Sequence, residues 1–307
     1  MKCGTTTLFD FLTSHPEICN DAHKEKHFYD KDEDGYFRGY RYYLSLFQGC
    51  DYKKFYLDAT PRYIGHDNVP ARIKETYPPN ILAMKKFLLI LREPVSRHYS
   101  EYQMRVRVCL KVFDGEDDDD DDKNRYRYTN RKLPNRAPLV RAESNCKKIV
   151  SNWKEWSEKG TGRQGDIKVY TFAEWLKSPD GISEIERGHY LQHIHAWLSN
   201  VKRSQLFIVN FVSLVYDTSH TMTNVSRFLG LSHDWGQKAT LPTPKTVKPN
   251  TVLDCESFDF LDRYYKEKNQ NLIGFINNHP DKPKDEPYFP PFNANRAQCV
   301  DVNDDKK

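Results

Sequence analysis

Apolar residues recur along this chain with two alternating periods. Near the N-terminus Leu8, Phe11, Leu12 and His15 share one helical face, and Pro16 closes that segment. Residues 53–61, carrying "KFYLDATP", predict a short strand that ends in a turn. "KFLLILREP" (86–94) is apolar on both faces, as a central parallel strand must be, and "VSRHYSEYQMRVRVCL" after it predicts a helix. Further on, "CKKIVSNWKEWSEK" predicts a helix and "DIKVYTFAEWL" opens as a strand. "GHYLQHIHAWLSNV" reads as helix, "QLFIVNF" (205–211) as a second buried strand, and "TSHTMTNVSRFLGL" as an amphipathic helix closing near Gly230. Strands alternating with helices predict a single α/β domain over residues 1–307, three layers deep with a central parallel sheet.

Two stretches break this rhythm. Residues 113–145, with acid concentrated at Glu116–Asp122, are too charged to pack and read as a disordered, solvated insertion. A calcium loop is the other reading of the aspartates, but the run lacks the glycine turn and closing glutamate of an EF-hand. The tail from about residue 280, "HPDKPKDEPYFPPFNANRAQ", is proline-rich and predicts an extended surface segment.

Composition narrows the class. Of 307 residues 38% are apolar and 29% charged, with 17 Phe and 19 Tyr, so the chain is globular rather than disordered. No apolar run approaches the ~20 residues of a membrane-spanning helix. A formal charge of +4, unevenly spread, gives no nucleic-acid signature. Seven cysteines without a CxxC pair argue against zinc and fit either a reduced protein or one with one to three disulfides. His189, His193 and His195 read as helix-surface histidines rather than a metal site, since no acid or thiol completes the set.

Candidate chemistry starts at the opening turn, "MKCGTTTLFDFL". A helix N-terminus presents unbonded amides and a partial positive charge, and so holds anions. Gly4 lets the backbone approach a phosphate, Thr5, Thr6 and Thr7 add hydroxyls and can cap the helix, and Lys2 adds a full charge. Lysine precedes glycine here, the reverse of the GxxxxGK[ST] loop of nucleotide triphosphatases. Read alone, the turn is equally a capping turn without a ligand. Three later stretches change that: "HKEKHFYD" (23–30), "LDATPRYI" (57–64) and "LILREPVSRHYSEY" (89–102).

In this order the series resembles the sulfotransferases that use 3′-phosphoadenosine-5′-phosphosulfate (PAPS), especially the Golgi heparan-sulfate type. Their phosphosulfate loop looks like KxGTTxL, their catalytic segment like KExHFFD and their 3′-phosphate segment like RxPxxRxxSxY. The resemblance covers about residues 1–112 and 146–275. It implies a P-loop-NTPase-like sulfotransferase fold and transfer of a sulfo group from PAPS to a hydroxyl or amine of a carbohydrate, without a metal. It also implies a strand ahead of Lys2 that this sequence lacks. The chain therefore reads as an N-terminally truncated fragment, and a Golgi-lumen location would follow if a membrane anchor has been lost with that strand.

The roles implied by the resemblance are specific. Lys2 steadies the departing phosphate oxygen, and Lys2, Cys3, Gly4, Thr5, Thr6 and Thr7 cradle the phosphosulfate. Glu25 is the catalytic base, with His27 as the other candidate, since a histidine does this work in the cytosolic members. Lys24 holds an anionic acceptor or the sulfo group. Arg92 and Ser100 grip the 3′-phosphate, and Arg97 braces that loop. Two departures stand out. Ala59 occupies a position where many heparan-sulfate members have a substrate-holding lysine, and Arg62 is the candidate replacement. The closing loop SKGRxHP falls on "KTVKPN" (245–250), where Lys245 and Lys248 keep the charge without the glycine. An acceptor among small molecules or protein tyrosines, or an inactive domain that binds sulfated glycans, are the competing readings.

Overall fold

A computed structural model describes residues 2–19, 24–47, 50, 55–114, 146–152, 168–231 and 251–301. Its principal helices are α1 (Thr5–Thr13), α2 (Tyr40–Ser45), α3 (Asn68–Thr76), α4 (Pro94–Asp114), α5 (Phe172–Leu176), α6 (Pro179–Glu186), α7 (Tyr190–Leu198), α8 (Phe211–Tyr216), α9 (Thr218–Leu229) and α10 (Cys255–Asn278). The strands are β1 (Phe87–Leu91) and β2 (Leu206–Asn210). The chain divides into two compact units rather than forming one undivided body. The first comprises Met1–Glu93, His189–Thr243 and Lys266–Asn293, the second Pro94–Gly188, Pro244–Tyr265 and Ala294–Lys307.

In the first unit β1 and β2 pair in parallel, in register from Phe87 opposite Leu206 to Leu91 opposite Asn210. All five residues of β2 are buried, because both faces of the pair are covered. Phe207 and Val209 join Leu8, Phe11 and Leu12 of α1 and Met222, Val225 and Phe228 of α9 on one face. Leu206 and Ile208 join Tyr190 and Ile194 of α7 and Leu272 and Ile276 of α10 on the other. Strict alternation along one strand thus produces the helix–sheet–helix layering that the apolar run predicts. A third cluster, built on Phe28, Tyr29, Tyr43, Phe47 and Tyr63, carries the loops between α1 and α3, and the Cys19–Cys50 disulfide lies within it.

The predicted strand at 53–61 is a single parallel bridge, Ile18 with Phe55. Beyond it residues 56–60 join no ladder: Ala59 N–H donates to the Lys24 carbonyl at 3.2 Å, and the Asp58 carboxylate accepts from Thr60 Oγ1 and the Tyr63 hydroxyl at 2.6 and 2.8 Å. The tail is also not a surface segment throughout. Glu286 and Phe289 are 5% and 2% exposed. Glu286 pairs with the buried Arg203 and accepts from the Ile208 amide at 2.8 Å, satisfying a backbone donor of β2. The phenyl ring of Phe289 fills the α7–α10 side of the core.

The second unit is centred on Tyr102, Val106, Trp175, Phe258, Leu261 and Tyr265. Disulfides Cys109–Cys146 and Cys255–Cys299 fasten it, and among the described residues Cys3 of the first unit forms no disulfide. The helix predicted from residue 146 does not continue over the described residues 147–152, and its remainder lies outside them. Cys146 is helical, residues 147–149 form a turn, and Val150 makes an antiparallel bridge with Val169, where β-branched residues pack better than in a helix. The strand predicted from residue 166 shrinks to that same bridge. Residues 113 and 114 belong to α4, and the rest of the acidic stretch lies outside the described residues.

Candidate active site

The opening turn sits where both strands of the first unit end. Gly4 is the N-cap of α1 with φ 82° and no side-chain cap, so the threonines occupy the first turn of the helix instead of capping it. The reason lies underneath: a Cβ on Gly4 would stand 3.1 Å from the Phe211 ring, and Phe211 directly follows β2. That ring also carries Arg92, whose guanidinium lies 4.8 Å from its centroid. Arg92 follows β1 and donates to the Lys2 carbonyl at 3.1 Å, while Tyr190 donates to the Arg92 carbonyl at 2.9 Å. Arginine, lysine and the amides of a helix start thus converge at the carboxyl ends of two parallel strands, the usual ligand position in α/β sheets. The side chain of Cys3 is 5% exposed and packs into the core, so only its backbone faces this turn.

A second cluster adjoins the first. Lys24 Nζ donates to Thr6 Oγ1 at 3.0 Å and to Glu25 Oε1 at 3.3 Å, tying the helix start to the candidate base. His27 lies between two carboxylates, with Nε2 3.2 Å from Glu25 and Nδ1 2.9 Å from Asp30. Arg62 Nε is 3.8 Å from Asp30 and Arg62 Nη2 is 3.2 Å from His66 Nε2. The backbone of this loop is fixed from behind. Ala59 N–H donates to the Lys24 carbonyl, His27 N–H to Thr60 Oγ1, and the Phe28 and Tyr29 amides to the Tyr63 hydroxyl.

These contacts set the charge states. Hydrogen bonding to Asp30 and then to Glu25 outweighs burial and pushes His27 up to about 9, so both ring nitrogens donate at neutral pH. An imidazolium has no lone pair to accept a proton, and in this state His27 donates to Glu25 and Asp30. Burial raises the Asp30 carboxyl, but His27, Arg62 and His66 more than reverse this, and it titrates below its ordinary range. Burial raises Asp58, against the bonds from Thr60 and Tyr63. Among the described non-glycine residues, positive φ angles occur at Lys2 (62°) and His27 (51°). Such angles cost of order 1 kcal/mol and persist where the surroundings over-determine them. Both fall in this site.

The structure therefore brings Lys2, Gly4, Thr5–Thr7, Lys24, Glu25, His27, Arg62 and Arg92 into one unit. Ser100 lies on α4 of the second unit, and Lys245 and Lys248 lie outside the described residues. Arg97, expected as a loop brace, is 2% exposed and bonds the Glu184 side chain at 3.3 Å and carbonyl at 2.7 Å. Sequence reasoning missed Asp30, Asp58, Tyr63 and Phe211. Asp30 was within reach, three residues after His27 in the quoted segment. Phe211 carried no signal, since its role depends on a contact with a residue more than two hundred positions away.

A covered parallel sheet with an anion-holding turn at its strand ends, and a carboxylate one lysine away from that turn, define a group-transfer enzyme of the P-loop-like α/β class. The sulfotransferase domain family matches residues 1–250, and the chain belongs to it. Among curated relatives it is 20% identical to the membrane-associated sulfotransferase kil1 of Dictyostelium discoideum, over 90% of this chain and 64% of that protein. It is 22% identical to the mouse (Mus musculus) bifunctional heparan sulfate N-deacetylase/N-sulfotransferase 4, over 88% of this chain and 28% of that protein. Over 33% of its length it is 34% identical to mouse heparan sulfate glucosamine 3-O-sulfotransferase 5, covering 27% of that protein. The chain thus spans less than two thirds of these relatives' own length. The crystal structure of a sulfotransferase from Alicyclobacillus acidocaldarius shares the fold, with a TM-score of 0.53 at 20% identity, over 90% of this chain and 92% of that one.

Proposed function

We propose that this domain transfers a sulfo group from PAPS to a hydroxyl or amine of a carbohydrate, a glycosaminoglycan-like polysaccharide, releasing adenosine 3′,5′-bisphosphate. The observation that carries the reading is the Thr6–Lys24–Glu25 bridge, in which one lysine links the start of α1 to the Glu25 carboxylate. The heparan-sulfate names among the relatives support the acceptor class.

The residues present fit PAPS: Gly4 removes the Cβ that would crowd the turn, and Lys2, Arg92 and the first amides of α1 supply positive potential. PAPS supplies the activated sulfo group and a phosphate leaving group. Glu25 takes the acceptor proton. Lys24 Nζ lies 3.3 Å from its Oε1 and His27 Nε2 3.2 Å from its Oε2, so the carboxylate is held in place beside the turn. Lys24, freed from Glu25 as the carboxylate gains its proton, offsets charge on the transferring group. Lys2 offsets charge on the leaving phosphate, the work that a metal does in phosphoryl transfer. Arg92 holds a phosphate of the nucleotide, and Arg62 takes an acidic group of the acceptor in place of the lysine absent at Ala59.

No described helix is long and apolar enough to cross a membrane. Three disulfides favour an oxidising compartment, and with the resemblance they support the Golgi lumen.

Incubation with radiolabelled PAPS and a panel of polysaccharides, small phenols and tyrosine peptides tests the reading. Label should pass to the polysaccharide, and Glu25→Gln should abolish transfer while adenosine 3′,5′-bisphosphate still binds. Label on phenols or peptides alone overturns the acceptor class. Glycan binding with no transfer to any acceptor overturns the activity.

A further inference from the structure

The loop that holds Glu25 has a second face, and that face is aromatic. Tyr56 is 54% exposed, yet nothing about its backbone is loose. On one side Phe55 is pinned by its bridge, Phe55 N–H to the Glu17 carbonyl at 3.1 Å and Cys19 N–H to the Phe55 carbonyl at 2.8 Å. On the other, Asp58 is buried under bonds from Thr60, Tyr63 and Tyr43. The Tyr56 ring stands edge-on to Phe47, with centroids 5.5 Å apart and planes at 88°. Lys26, between Glu25 and His27, places its Nζ over that same Phe47 ring, 4.9 Å from the centroid. Phe47 itself is 8% exposed and anchored in the aromatic cluster.

An exposed phenol ring braced edge-on by Phe47, on a backbone pinned at Phe55, is a flat apolar platform with part of its ordering entropy already spent. Its electrostatic setting fixes the kind of partner. Along the loop, Lys24, Lys26, the His27 imidazolium and Arg62 face the carboxylates Glu25 and Asp30, so cationic groups outnumber anionic ones. We propose that Tyr56 and Lys26 form an outer acceptor subsite: one sugar ring of an anionic chain stacks on Tyr56, and Lys26 meets the sulfate or carboxylate of that ring or its neighbour. This rests on the carbohydrate reading above and deepens it. Lys26, next to Glu25 on its loop, and Tyr56, on the neighbouring segment, meet at the Phe47 ring, so the subsite takes a residue of the chain beyond the one being sulfated. Acceptors too short to reach it do not use it.

Length dependence is the test. KM and kcat are measured for heparan-type acceptors of two and of six or more sugars, with wild type, Tyr56→Ala, Tyr56→Trp and Lys26→Gln. Tyr56→Ala should raise KM for the long acceptor about tenfold, the equivalent of roughly 1.4 kcal/mol, while kcat and the KM of the disaccharide stay within about twofold. Tyr56→Trp should bind the long acceptor at least as tightly as wild type. Lys26→Gln should flatten the salt dependence of long-acceptor binding. Equal effects of Tyr56→Ala on short and long acceptors, or no effect on either, overturn the subsite and leave the carbohydrate reading intact. Wild type that binds adenosine 3′,5′-bisphosphate but no acceptor glycan of either length overturns both.

Discussion

Replacing Asp30 with asparagine isolates the feature on which the charge state of the site depends. Asparagine keeps an oxygen facing His27 Nδ1 and removes the charge. The gap between the ordinary histidine value of 6.5 and a value of about 9 in this site corresponds to roughly 3 kcal/mol if unscreened. The side chain keeps 22% exposure, and Glu25 contributes too, so roughly 1.5 kcal/mol is the share that Asp30 is expected to supply. The sign follows from linkage. His27 titrates higher when folded than when unfolded, so this stabilisation is complete below pH 6.5 and disappears as pH rises through about 9. Denaturant unfolding of wild type and Asp30→Asn should therefore differ by about 1.5 kcal/mol at pH 6 and converge toward pH 10. NMR titration of the His27 ring should show the midpoint dropping from about 9 in wild type toward 6.5 in the variant. In turnover, the alkaline limb of kcat/KM should shift down by the same interval, because neutral His27 no longer donates to Glu25. A stability difference that stays constant from pH 6 to pH 10, or a wild-type midpoint near 6.5, would refute this account.

Two further outcomes follow from the packing. Gly4→Ala places a Cβ 3.1 Å from the Phe211 ring at a backbone φ of 82°, so adenosine 3′,5′-bisphosphate affinity measured by calorimetry should fall at least tenfold, with about 1 kcal/mol lost in stability. Glu286→Ala leaves the buried Arg203 charge and the Ile208 amide without their partner. It should cost about 3–5 kcal/mol in denaturant unfolding, whereas paired replacement of Arg203 and Glu286 by leucine and methionine should recover much of that loss.

Legibility in the sequence tracked periodicity and locality. The strands at 87–91 and 206–210 were readable because burial on both faces makes a strand uniformly apolar, and α9 because its face repeats and Gly230 takes the left-handed C-cap at φ 73°. Residues 55–60 misled because alternation cannot distinguish a laddered strand from a segment that makes one bridge at Phe55 and then bonds the Lys24 carbonyl through the Ala59 amide. Proline content made the tail look like surface, while the information that mattered was one acid, Glu286, opposite a lone buried arginine 83 positions away. Of the site, short motifs conveyed the cationic turn and Glu25. They could not convey that His27 is clamped by two acids, which alters its chemistry from acceptor to donor.

That alteration bears on how a carboxylate with two cationic neighbours can serve as a base. Lys24 and His27 both stabilise ionised Glu25, which by itself weakens it as a proton acceptor. The two cations are not equivalent, however. His27 is locked by Asp30 and by a backbone at φ 51°, so its bond to Glu25 is structural. Lys24 divides its ammonium between Glu25 and Thr6, on a flexible four-carbon stem. Under the proposed function, an anion in the turn beside Thr6 would draw the ammonium away from Glu25 and toward itself. That movement would couple Glu25 to the presence of the donor. Such coupling requires Lys24 itself and not merely a charge near Glu25, because only a side chain within reach of both partners can transfer its bond from one to the other.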